Sequence, residues 1–209
     1  MVPPISTLPH LQLVVSGLAC QRGERLLFRD IGFRLGAGEA LLVTGENGSG
    51  KTTLLRALAG FLAPLAGSIA LEGLTAGEHR REHLHYLGHR DGLRAALTAR
   101  ENLAFAAALA GKGGLAPAAA LAELGLPQVA DLPVGVLSAG QRRRVALARL
   151  LVARRPLWLL DEPTSALDTA SQARVAGLIA AHCGAGGLVI AATHLALGIP
   201  AQSLVMGAR

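Results

Sequence analysis

The 209 residues suit one compact domain, and 51% hydrophobic residues beside 16% charged ones exclude a disordered chain. Aromatics at 3% argue for an α/β layer fold over a β-sandwich, and two distant cysteines, Cys20 and Cys183, exclude a disulfide framework or a cysteine zinc site. The net charge of +6 invites an anionic partner, but the basic residues are scattered, clustering only at Arg142, Arg143 and Arg144, so nucleic acid is not the expected partner.

The N-terminus has no charged segment followed by an apolar run, so it does not read as a signal peptide. Short strands are expected at 11–15, 26–28 and 31–35, separated by glycine and charged turns. A compact apolar strand follows at 40–44, then a helix over 51–59 with Gly60 as its cap. Two further strands are expected at 68–71 and 84–87. From about residue 92 the texture turns helical, with helices at 100–109 and 116–124 and a longer one opened by Ser138.

A buried strand at 157–160, a helix at 169–181 and a strand at 188–192 complete the coarse plan, an α/β core with a helical insert. Between Arg174 and Arg209 no Asp, Glu, Lys or Arg occurs, yet the glycines from Gly184 to Gly187 divide this stretch into helix and strand. It is therefore not expected to span a membrane, and the chain is expected to be soluble by itself.

The strongest chemical signal is Gly45-Glu46-Asn47-Gly48-Ser49-Gly50-Lys51-Thr52, a GxxxxGK[ST] phosphate loop between a strand and a helix. Glycines let backbone N–H groups wrap an anion, and the helix N-terminus adds its dipole. In such loops the Lys (Lys51) reaches the β- and γ-phosphates and the hydroxyl of Thr52 ligates Mg²⁺, with Thr53 beside it in the first helical turn. The strand at 157–160 ends in Asp161 and Glu162, one carboxylate placed to serve Mg²⁺ and the other the attacking water.

Leu137-Ser138-Ala139-Gly140-Gln141 resembles the LSGGQ signature of ATP-binding-cassette ATPases, with Ala139 in the third place. Ser165-Ala166-Leu167-Asp168 resembles the D-loop of that family, and His194 matches its switch histidine. The resemblance runs from Gly45 to His194 in family order. It implies a P-loop NTPase core with an antiparallel β-subdomain (together about 1–91 and 156–209) and an inserted helical signature subdomain (about 92–155). It also implies ATP and Mg²⁺ as ligands and a head-to-tail homodimer holding two ATP molecules.

In that arrangement Ser138, Gly140 and Gln141 face the partner's nucleotide, His194 holds the γ-phosphate and the water, and Asp168 communicates across the interface. Two positions depart from the family pattern. His89 stands where a glutamine is usual. Arg22 aligns with the adenine-stacking aromatic, though Cys20 or Gln21 could take that place.

The segment Tyr86-Leu87-Gly88-His89-Arg90-Asp91-Gly92-Leu93 and the run from Pro133 to Leu150 resemble the haem-exporter ATPases of bacterial cytochrome c maturation. That resemblance implies separate polytopic membrane partners and a peripheral position on the cytoplasmic face of the inner membrane. Only a short segment follows His194, so no regulatory domain is expected there. Another export or uptake system, or a soluble cassette ATPase acting on nucleic acid, are the competing readings. The histidines His79, His83, His85 and His89 read as solvated or core residues rather than as a metal or haem site, and Arg142–Arg144 as a solvated helix face.

Overall fold

The computed structural model describes residues 10–111, 113–193 and 198–207. An antiparallel sheet in the order β2-β1-β4 is built from β1 (Gln12–Arg22), β2 (Arg25–Leu35) and β4 (Ala66–Glu72). A second sheet, parallel throughout, has the order β5-β6-β7-β3-β8. Its strands are β3 (Ala40–Gly45), β5 (Leu84–Leu87), β6 (Leu157–Asp161), β7 (Leu188–Ala192) and β8 (Gln202–Met206).

Strands β6 and β7 are buried along their whole length and alternate between two cores. Leu157, Leu159, Leu188 and Ile190 face the antiparallel sheet and helix α1 (Lys51–Leu58). Trp158, Leu160, Val189 and Ala191 face α2 (Ala99–Ala110), α3 (Pro117–Glu123), α4 (Ala139–Val152) and α5 (Thr169–Gly184). Burial on both faces explains why these strands read as unbroken apolar runs. Because the strands are parallel, the loops after β3, β5 and β6 emerge at one edge, where ligands of open α/β sheets bind.

Four expectations are corrected. The segments at 26–28 and 31–35 are one strand, β2, which continues through Asp30 at φ 56. Likewise β1 runs on past residue 15 through Gly17 at φ 57, with register shifts against β2 between Val15 and Gln21. Bulges let a strand absorb such residues without ending. Strand β8 was not expected. It is an edge strand held by parallel pairing to β3 from Leu41↔Gln202 to Gly45↔Met206, so its backbone supplies what its mixed side chains do not signal.

Arg143 is the fourth correction. The Arg142–Arg144 run is not a solvated face, since Arg143 is 3% exposed and its guanidinium is fully engaged inside the protein. Elsewhere, Arg80, Arg144, Arg149 and Arg155 also donate to main-chain carbonyls of their own chain. Part of the positive charge is thus committed to holding the fold. Among the described residues no helix is long and apolar enough to cross a membrane.

Of the four clustered histidines, His85 is half-buried, and its ring Nε2 lies 2.8 Å from the Ala153 carbonyl oxygen. His83 lies 3.6 Å from Glu78, and His89 is exposed. A further histidine, His182, stacks on Trp158 with ring centroids 3.8 Å apart and bonds the Pro156 carbonyl. Burial pushes both His85 and His182 down to about 4 from the ordinary 6.5.

Both rings are therefore neutral when folded, while the unfolded chain takes up their protons from pH 6.5 downward. Their contribution is complete above pH 6.5 and is lost as the pH falls toward 4, roughly 3 kcal/mol for each. Melting temperature is expected to fall steeply over this window. In His85→Gln, whose amide still reaches the carbonyl, the slope should flatten. An unchanged slope in that variant would remove His85 from the account.

Candidate functional site

The loop from Gly45 to Lys51 turns between β3 and α1. Gly45 has φ 134, and a Cβ there would come within 2.3 Å of the Met206 carbonyl oxygen on β8, so only glycine lets the loop start where it does. Glu46, Asn47 and Gly48 are exposed at the loop crest, Ser49 and Gly50 half-buried, and Gly50 caps α1. The Ser49 hydroxyl is buried and has no hydrogen-bond partner among the described residues. Such an orphaned polar group beside a helix N-terminus fits a phosphate oxygen.

Lys51 is 9% exposed, and its Nζ donates to the carbonyls of Gly45 at 2.6 Å and Glu46 at 3.1 Å. The ammonium is thus folded across the inside of the loop, within the space an anion would share. Thr52 donates from Oγ1 to Oδ2 of Asp161 at 2.8 Å, joining the loop to the end of β6. Thr53 is half-buried in the first turn of α1. A hydroxyl and a carboxylate in contact, next to the glycine-rich loop, form an oxygen donor set suited to Mg²⁺.

Asp161 is 4% exposed, and Glu162 follows it with φ 46. The left-handed region is costly for a residue with a side chain and persists where the surroundings over-determine it. Here they do: the Glu162 N–H donates to the Ala192 carbonyl at 2.8 Å, and its carbonyl accepts from Arg143 at 2.7 Å. Lys51, Thr52, Asp161 and Glu162 are thereby brought together at the carboxyl edge of the parallel sheet. His194 lies outside the described residues.

Ser138 caps α4 through a reciprocal box: its Oγ accepts from the Gln141 N–H at 3.2 Å, and its own N–H donates to Gln141 Oε1 at 2.9 Å. Gly140 packs so closely on the turn before α5 that a Cβ would sit 2.9 Å from the Ala166 carbonyl oxygen. In that turn Ala166 has φ 61. Among the described residues no hydrogen bond joins Ser138, Gly140 or Gln141 to the phosphate loop.

Asp168 caps α5, accepting from the Ser171 N–H at 2.7 Å, and these bonds hold its carboxyl below the usual range. His89 is exposed just beyond β5, and Arg22 is exposed at the end of β1, opposite Arg25 across the hairpin.

Sequence reasoning missed Arg143. Its Nη1 donates to the Gly88 carbonyl at 2.8 Å and to Asp91 Oδ1 at 3.0 Å, its Nη2 to the Asp161 carbonyl at 2.6 Å as well as to Glu162. The available signal was helical spacing. Arg143, Ala146, Leu147 and Leu150 share one face of α4, and all four are buried.

The family model described as ABC transporter matches residues 28–165. The chain is 52% identical to the cytochrome c biogenesis ATP-binding export protein CcmA of Rhizobium meliloti, an alignment covering 94% of this chain and 98% of that one. It is 51% identical to the protein of the same name from Bradyrhizobium diazoefficiens, again over 94% and 98%. A solved ATP-binding subunit of an ABC transporter superposes with a TM-score of 0.80 at 23% identity, covering 93% of this chain and 85% of that one. A bacterial Atm1-family ABC exporter with ATP bound superposes with a TM-score of 0.77 at 25% identity, over 98% of this chain and 39% of the exporter.

Proposed function

The chain belongs to the ABC transporter family, and from that premise we propose that it is the ATP-hydrolysing motor of a haem-exporting complex for cytochrome c maturation. The observation that carries the motor reading is the junction of loop and strand: Lys51 folded into the loop, Thr52 bonded to Asp161, and Glu162 next in line. The relatives named as cytochrome c biogenesis export proteins support the pathway.

ATP is the substrate. The backbone N–H groups from Glu46 to Thr53 wrap its phosphates, and the Lys51 ammonium exchanges carbonyl partners for β- and γ-phosphate oxygens. Thr52 and Asp161 would hold Mg²⁺, which neutralises charge building on the phosphates. Glu162 accepts a proton from the attacking water, and its constrained main chain fixes where that carboxylate starts. His194 is assigned to the γ-phosphate and the water, and His89 to the place of the usual glutamine.

Ser138, Gly140 and Gln141, at a helix N-terminus, serve the nucleotide of a second copy, so ATP closes a head-to-tail dimer. Asp168 communicates across that dimer from its position as a helix cap, and Arg22 stacks on adenine. The core and antiparallel sheet (about 1–91 and 156–209) carry the nucleotide, and the helical segment (about 92–155) presents the signature. Separate polytopic membrane subunits hold the motor at the cytoplasmic face of the inner membrane. The engagement of Arg80, Arg143, Arg149 and Arg155 with their own main chain supports a partner other than nucleic acid.

The pathway is tested by deleting the gene and measuring covalently bound haem in c-type cytochromes. Loss of those cytochromes, restored by the wild-type chain and not by Lys51→Ala, is the expected result. Normal cytochromes in the deletion strain would discard the pathway.

A further inference from the structure

Strands β5 and β6 pair in parallel as far as Leu87↔Leu160, and there the ladder ends. The next carbonyls of the two strands, Gly88 on one and Asp161 on the other, are both taken up by Arg143, at 2.8 Å and 2.6 Å. The same guanidinium reaches Glu162 O at 2.7 Å, Pro163 O at 3.4 Å and the carboxylate of Asp91 at 3.0 Å. A second arginine of α4, Arg149, donates to the carbonyl of Asp91 at 3.1 Å and Gly92 at 3.3 Å. Burying a charge costs stability that an apolar residue of similar volume would not, so structural filling alone does not account for Arg143.

We propose that Arg143 is a positioning residue that locks the loop after β5, which carries His89, to the turn that carries Glu162, so that displacement of one is transmitted to the other. The lock is made on α4, the helix that begins at Ser138. A movement of the loop at 88–91 therefore reaches the main chain on both sides of Glu162 as well as the signature helix. The consequence for turnover rests on the motor reading above. The mechanical link does not.

The test is hydrogen exchange on the full chain, comparing wild type with Arg143→Lys and Asp91→Asn. Lysine keeps the charge but cannot span five acceptors with one rigid fork. In Arg143→Lys, exchange is expected to rise roughly tenfold both at 88–92 and at 162–165, with α1 unchanged. Asp91→Asn alters only the loop side, yet exchange at 162–165 is still expected to rise about threefold.

Loosening confined to 88–92 in either variant would overturn the proposal, as would no change in either segment. If Arg143→Lys does not fold, Asp91→Asn decides alone. ATP turnover gives the separate readout: a fall in kcat at unchanged KM is expected from either variant. Coupled exchange with unaltered kcat would support the link and count against Glu162 as the base.

Discussion

Replacing Lys51 with alanine is expected to weaken ATP binding on the order of a hundredfold or more, the scale of losing charge-assisted bonds in a partly dry site. The side chain is buried and its Nζ is bonded to Gly45 O at 2.6 Å and Glu46 O at 3.1 Å, so the ammonium already occupies the mouth of the loop. Alanine removes the cation that balances the phosphates and leaves two loop carbonyls facing them. Lys51→Arg should not restore binding, because a planar fork does not fit a site shaped for one ammonium. Titration with a fluorescent ATP analogue, alongside circular dichroism to verify folding, measures this. Wild-type affinity in Lys51→Ala would remove the lysine from the phosphate site.

Glu162→Gln should leave ATP bound and slow its hydrolysis by roughly 10²–10⁴-fold, the range a general base contributes. The substitution is informative here because of the backbone. Glu162 sits at φ 46, where glutamic acid and glutamine bear the same strain, and its N–H and C=O are both engaged. The variant therefore changes the carboxylate and little else. With ATP it should persist as a dimer, whereas the wild type returns to monomer as ATP is spent, which sedimentation velocity distinguishes. Hydrolysis at the wild-type rate within the assembled complex would contradict the role given to Glu162.

Much of this site is legible in the sequence because its signals are local. The phosphate loop is a run of consecutive residues, Ser138 with Gln141 forms a capping box three residues apart, and β6 announces itself as an unbroken apolar run ending in Asp161. What escaped depends on chain segments far apart. Strand β8 exists through backbone pairing to β3, from Leu41↔Gln202 to Gly45↔Met206. Bulges at Gly17 and Asp30 conceal two long strands, since a glycine or an aspartate inside a strand reads as a turn.

Arg143 shows a further limit. Three adjacent arginines suggest solvent, yet the middle one shares its helix face with Ala146 and Leu147 and finds carbonyls where strands diverge. Net charge misleads for the same reason, because guanidinium groups that bind their own main chain are not offered to a partner.

The central claim, a motor that works on membrane proteins, is tested most directly by tagging Glu162→Gln and extracting membranes in mild detergent with ATP. The proteins that co-purify are then identified by mass spectrometry. The account predicts small polytopic subunits of cytochrome c maturation, retained with ATP and absent from a Lys51→Ala preparation. Recovery of nucleic acid or only soluble proteins would contradict it.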